Sequence, residues 1–245
     1  MNFNDREKIV ELTPLWKGER LPDGRPKVED KYLDALYGMT LEEVWKPIFV
    51  LGYEHQFVGG GENPLNTLHD DGRKLVGRAV TCTYCPTRPD LHDVQFARGA
   101  EDGLQGNYNQ WVIDHLYERD VVVCDMYDKI YKGTFLGGNL TTALHNRTKT
   151  GGAVIWGGIR DVEQMKKVPD VQVYYRGIDP TPIREFVMKD WNDITNFGGA
   201  VCLPGDIVFG AGGGVLFIPA HLVADVVEGA AKTHVKDDFG FEMIC

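Results

Sequence analysis

Between residues 121 and 163 the sequence twice places a glycine pair after an apolar run: Gly137-Gly138-Asn139-Leu140, then Gly157-Gly158-Ile159-Arg160-Asp161. Gly137-Gly138 lets backbone approach a ligand closely. The helix expected to open there offers free N–H groups, a natural seat for a carboxylate or phosphate. Arg160 adds a planar fork for the same carboxylate. Asp161 is a hard oxygen ligand for a magnesium-type ion. Gathered in one place, these groups would hold a 2-oxo acid, its carboxylate on the Gly137–Leu140 amides and Arg160, its ketone oxygen on the metal. A metal so placed stabilises an enolate as a Lewis acid, the requirement of both retro-aldol cleavage and β-keto acid decarboxylation. The same residues admit a second reading. Asp161-x-x-Gln164 is also a capping box, in which Asp161 only caps a helix over Val162–Val168 and Arg160 is solvated.

Periodicity predicts the elements that would position these groups. Short helices are expected over Asp5–Leu12, Tyr32–Tyr37 and Thr40–Phe49, the last opened by the Thr40-x-x-Glu43 capping box. Residues 57–73 read as loop. Leu75–Tyr84 reads as a strand, 93–117 as helix interrupted near Gly103–Gly106, and Val121–Cys124 as a short buried strand ending at Asp125. A helix over Asn139–Thr148 shows Leu140, Ala143 and Leu144 on one face. Strands follow at Ala153–Trp156 and Val171–Tyr175. Ile207–Phe209 and Val215–Ile218 flank Gly210-Ala-Gly-Gly-Gly214 as a hairpin, and Ala220–Lys232 closes the chain as an amphipathic helix before a mixed tail. Alternation of strands and short helices gives an α/β class.

Composition narrows the function. The chain has 245 residues, 43% hydrophobic and 25% charged, enough for one large core with an N-terminal embellishment. A net charge of -10 disfavours nucleic-acid binding. No apolar run approaches a membrane span, and the charged N-terminus lacks the apolar stretch of a signal peptide, so a cytoplasmic location is expected. Five cysteines argue against a disulfide framework, and Cys82-x-x-Cys85, inside a strand, is expected to hold inert thiols. The seven histidines show no HxH or HExxH spacing. There is no GxSxG elbow, and Gly210–Gly214 lacks the Lys-Ser/Thr of a phosphate loop.

Several motifs in order resemble the RraA-like and 4-hydroxy-4-methyl-2-oxoglutarate aldolase family. They are the glycine turn at Gly138-Asn139-Leu140, then Arg160-Asp161-Val162-Glu163, with 20 residues between Asn139 and Arg160, then Pro204-Gly205-Asp206 and Val215-Leu-Phe-Ile-Pro219. The likeness runs from about Leu75 to Lys232. Gly52-Tyr53, Gln56-Phe57, Arg88-Pro89-Asp90-Leu91 and Asp238-Phe239-Gly240 resemble a longer subgroup. The resemblance implies a swivelling β/β/α domain, residues 75–245, with a C-terminal helix and tail. An N-terminal helical extension, residues 1–74, would pack on it. It implies homotrimers or homohexamers with an active site between subunits. Arg160 would bind substrate and position a water, Asp161 would hold Mg²⁺ or Mn²⁺, and Gly137, Gly138, Asn139 and Leu140 would hold the pyruvyl carboxylate. A C-terminal acid from the next subunit would complete the metal's water shell; the candidates are Asp237, Asp238 and Glu242.

The chain departs from that pattern at Asn139, where aldolase members carry an acid, at Trp156, where many have Asp, and in the hairpin turn. Asn139 accepts a hydrogen bond but cannot act as a base. Asp125 is a second place for the missing charge, with a turn or cap role as its alternative. The expectation is therefore a metal-dependent lyase on a 2-oxo acid. The alternatives are a regulatory binding protein of the ribonuclease-inhibitor type, or a lyase or hydratase on a sugar-acid-derived substrate.

Overall fold

The computed structural model describes residues 3–61 and 63–244, without the side chains at 238, 241, 242 and 244. Three helices lead the chain: α1 (Arg6–Leu12), α2 (Asp30–Leu36) and α3 (Leu41–Val50). The Thr40–Glu43 capping box forms reciprocally at the start of α3. The short strands β1 (Phe57–Gly59) and β2 (Asn66–Thr67) follow, then β3 (Leu75–Pro86), α4 (Pro89–Glu101) and α5 (Tyr108–Asp114). The centre of the chain runs β4 (Asp120–Leu136), α6 (Gly138–Thr148), β5 (Gly152–Ile159), α7 (Val162–Met165) and β6 (Gln172–Ile178). It ends with β7 (Phe186–Trp191), β8 (Thr195–Phe197), β9 (Ala200–Cys202), the hairpin β10 (Ile207–Ala211) and β11 (Gly214–Ile218), and α8 (Val223–Ile244).

This is a mixed α/β fold on one sheet of order β1-β11-β10-β3-β4-β5-β6-β2, with β7 on β3 and β8–β9 as a separate ribbon. Its centre, β3-β4-β5-β6, is parallel. The edges are antiparallel. Consecutive β4 residues alternate between two cores. Val122 and Cys124 pack with Trp111 and Leu144, while Val121 and Val123 pack with Phe197 and Phe217. A strand buried on both faces reads as an unbroken apolar run, which is why Val121–Cys124 is legible. A third core joins α2, α3 and α8 to the β10–β11 hairpin through Leu33, Ile48, Phe209, Leu216 and Val226.

Three expectations need correction. The strand after Arg119 does not stop at Asp125; it continues to Leu136 through Tyr127, Asp128 and Lys132, all at positive φ. Asp125 accepts a hydrogen bond from the Tyr127 N–H at 2.8 Å, so it caps the turn that bends the strand. The expected loop at 57–73 contributes β1 and β2 to the sheet, and residues 186–202 supply three unforeseen strands. Of the Cys-x-x-Cys pair, Cys82 is buried and Cys85 partly so; both are free thiols, and burial pushes the Cys85 pKa up.

The segment after α1 is locked to the sheet by a buried ionic cluster. Arg25 is fully buried and donates to both carboxylate oxygens of Asp120 (2.9 and 2.7 Å), to Asp23 (2.7 Å) and to the Ala79 carbonyl (3.1 Å). Asp120 opens β4 and also accepts from the Tyr117 N–H at 2.8 Å. Removing one partner strands the other charge in a medium that cannot solvate it. Arg25→Ala should therefore lose about 3–5 kcal/mol in urea denaturation; a loss under about 1 kcal/mol, the size of an exposed pair, would contradict this.

Asp206, also buried, accepts from the Leu203 N–H at 2.8 Å. Burial pushes its carboxyl from 3.8 up to about 7, against the pull of the Leu203 and Ala220 amides. The folded state thus favours the protonated acid. Its contribution is greatest below the unfolded pKa and is lost as pH rises through the folded one. Relative to Asp206→Asn, wild type should lose about 1.4 kcal/mol per pH unit between roughly pH 4 and 7. Urea titrations of both proteins across that window check it, and a constant difference between them would refute it.

Candidate functional site

The carboxyl ends of β4 and β5 meet. Their ladder runs to Leu136 opposite Ile159, and the Arg160 N–H donates to the Leu136 carbonyl at 3.0 Å. The residues that leave these strands, Gly137 and Arg160, are thereby neighbours. Gly137 is extended and Gly138 begins α6, with the Thr141 and Thr142 hydroxyls folded back onto the carbonyls of Gly137 and Gly138. The N–H groups of the first turn of α6 are consequently aimed outward from the strand end.

Asp161 takes the left-handed conformation, φ 56° and ψ 38°. Asp tolerates this better than most residues, and it turns the side chain away from the helix it precedes. Asp161 makes no side-chain capping bond to α7, so the capping-box alternative is not what the structure adopts. Its Oδ2 instead accepts from the Gly138 N–H at 3.3 Å and lies 3.4 Å from Arg160 Nη1. Both side chains remain more than a third exposed. The glycine leaves room for both side chains: a Cβ on Gly137 would sit 2.7 Å from Asp161 Oδ2 and 3.1 Å from Arg160 Cγ.

These groups line a cavity of about 330 Å³, formed by Gly137, Gly138, Asn139, Leu140, Thr142, Arg160, Asp161 and Gln164. The five sequence-predicted binding residues and Asp161 are thus brought together. Thr142 and Gln164 were not anticipated, although each lies three residues along a helix from a predicted site residue, a spacing that places both on the site-facing side. Asp125, Trp156, the hairpin glycines and all seven histidines lie outside the lining. Trp156 instead packs against Phe197 and carries the Arg176 guanidinium 4.4 Å above its ring. Of the tail acids, Asp237 is exposed on α8, and the side chains of Asp238 and Glu242 lie outside the described residues.

The donors at this site suit one class of metal and not another. Among the described residues no three His, Cys, Asp or Glu side chains cluster. One carboxylate does not satisfy zinc, which wants several nitrogen or sulfur ligands. It does fit a magnesium-type ion, which keeps several waters and binds through one or two carboxylates plus substrate. Asp161 is the residue that could hold it; Asn139, Thr142 and Gln164 bring further side-chain oxygens to the lining.

A family model described as RraA-like, Aldolase/RraA, matches residues 51–217. Protein DlpA of Legionella pneumophila is 29% identical over 169 residues, which cover 68% of this chain but 25% of DlpA, so the chain spans about a quarter of that protein. Streptomyces coelicolor RraAS2, described as an unusual member of the RNase ES inhibitor RraA family, superposes with a TM-score of 0.69 at 20% identity, covering 91% of this chain and 98% of that one. A protein of Pseudomonas syringae pv. tomato superposes with a TM-score of 0.71 at 18% identity, covering 93% and 94%. At these identities the superpositions establish the fold.

Gly137→Ala should leave the fold intact, because the obstructing atoms belong to movable side chains, while displacing Asp161 from the Gly138 amide. A crystal structure of the variant with Oδ2 still within about 3.5 Å of that nitrogen would contradict the packing argument.

Proposed function

The chain belongs to the RraA-like family, and on that premise we propose that it is a divalent-metal-dependent carbon–carbon lyase acting on a 2-oxo acid. The observation that carries this reading is the convergence of Arg160 and Asp161 on the first amides of α6. A protein that only docks on a partner needs no such cavity.

The substrate carboxylate is bound by the amides at the start of α6 and by the Arg160 fork. Mg²⁺ or Mn²⁺ held by Asp161 supplies Lewis acidity toward the 2-oxo group. Cleavage removes the proton of the substrate's hydroxyl group and breaks the bond between the hydroxyl-bearing carbon and the carbon next to the ketone. The electron pair left on that second carbon then takes up a proton, giving pyruvate. Asn139 cannot exchange protons and, among the described residues, no second carboxylate lines the cavity, so both transfers are assigned to a water oriented by Arg160. Decarboxylation of an oxaloacetate-type acid uses the same electron flow with carbon dioxide as the leaving fragment. Assembly into trimers or hexamers, with a C-terminal acid of a neighbour reaching this cavity, is part of the same proposal.

A second reading, a regulatory protein that docks on a ribonuclease, draws on the description of RraAS2 and on the net charge of -10. Pulldown with a ribonuclease of that class would separate the two.

Purified protein should release pyruvate from 4-hydroxy-4-methyl-2-oxoglutarate or oxaloacetate only with Mg²⁺ or Mn²⁺ present. Asp161→Asn keeps a side chain that tolerates the left-handed backbone, and Arg160→Lys keeps the charge without the fork. Each should lower kcat/KM by about 10²-fold with little change in melting temperature. A wild type inactive on a panel of 2-oxo acids, or variants as active as wild type, would refute the reading.

A further inference from the structure

A second cavity, of about 410 Å³, opens at the carboxyl end of β3, between α4, the start of α5 and the entry to β7. Its interior is aromatic. Phe96 and Tyr108 meet edge to face at 4.9 Å, His92 lies 4.4 Å from the Phe96 ring, and the buried Phe186 belongs to the same lining. The rim is polar and carries Arg184, Asn107 and Thr87. Arg184 donates its backbone N–H to the Lys132 carbonyl at 3.0 Å, but its exposed guanidinium has no ion-pair partner among the described residues. The neighbouring Glu185 does not cancel that charge, because Lys132 and Lys129, the latter at 3.5 Å, already neutralise it.

Edge-to-face rings around an open volume leave positive ring edges and negative faces for a further arene, which prefers such contacts over a plain apolar wall. A free guanidinium at the mouth selects a planar anion and binds it by two parallel hydrogen bonds. The Tyr108 hydroxyl and His92 Nδ1 are mutually engaged at 3.2 Å, leaving Nε2 of that histidine as a further polar contact. We propose that the cavity bounded by Phe96, Tyr108, Phe186 and Arg184 binds a planar aromatic ring bearing a carboxylate. Its place in the fold supports this. Asn109, in the same lining, donates to the Phe135 carbonyl at 2.9 Å, two residues before Gly137. Both cavities therefore lie along the carboxyl edge of the parallel strands, where ligand sites of α/β sheets collect.

The probe is benzoate, titrated calorimetrically into the full chain. Saturable binding in about the millimolar range, as nine heavy atoms support, is expected. Arg184→Ala, an exposed change, should weaken it roughly tenfold or more. Phe96→Leu should weaken it less, and cyclohexanecarboxylate should bind more weakly than benzoate to wild type. Arg160→Ala should leave benzoate affinity unchanged, which separates this site from the proposed catalytic cavity and from the fate of the lyase reading. Absence of saturable binding, equal affinity in Arg184→Ala, equal affinity for the saturated ring, or loss of binding in Arg160→Ala would each overturn the proposal.

Discussion

One backbone hydrogen bond, from the Arg160 N–H to the Leu136 carbonyl, holds the candidate site together. It closes the ladder between two parallel strands at the point where both leave the sheet. Everything polar in the cavity is within a few residues of it: the glycine turn on one side, Arg160 and Asp161 on the other. Parallel pairing alone would bring two strand ends near each other. The register, Leu136 opposite Ile159, puts the start of a helix and a guanidinium on the same few ångströms of surface. The left-handed backbone at Asp161 then turns the carboxylate back across the gap. Small backbone choices thus do the positioning, and the side chains that carry charge remain free to meet a ligand.

That geometry rests on a strand secured at its far end. β4 begins at Asp120, whose carboxylate is consumed by Arg25 and the Tyr117 amide. The N-terminal segment is therefore not a loose appendage to the sheet; its arginine fills a charge-lined hole at the base of the strand that delivers the glycine turn. A buried pair of this kind adds little net stability over an apolar substitute but penalises any arrangement that separates its members. Its consequence here is to fix where the segment docks.

Much of the site was legible because it is local. A glycine pair before a helix, and an Arg-Asp pair after a buried strand, are patterns a sequence displays directly. The strands that carry them were legible wherever both faces are buried, as at Val121–Cys124. The extension of β4 to Leu136 was hidden because Asp125, Tyr127, Asp128 and Lys132 break the apolar pattern while the backbone, at positive φ, bends and continues. β1, β2 and β7 to β9 are short or edge strands whose pairing depends on distant partners, and no local period announces them. Gln164 and Thr142 enter the cavity only because their helices face it, and the aromatic cavity beside β3 joins residues 87–109 to 183–186, distant in the chain but brought together by the pairing of β7 with β3. The choice between a capping and a site role for Asp161 was open in the sequence, since both use the same spacing; its left-handed backbone and missing capping bond rule out the cap.

The central claim is that the Arg160–Asp161 pair and the α6 amides form one carboxylate-binding site. A crystal structure of the protein soaked with oxalate and Mg²⁺ tests it most directly. The account predicts one oxalate carboxylate on the amides of Gly138 to Leu140 and the Arg160 guanidinium, with Asp161 turned toward the ion. Oxalate bound elsewhere, with this cavity holding only solvent, would contradict it.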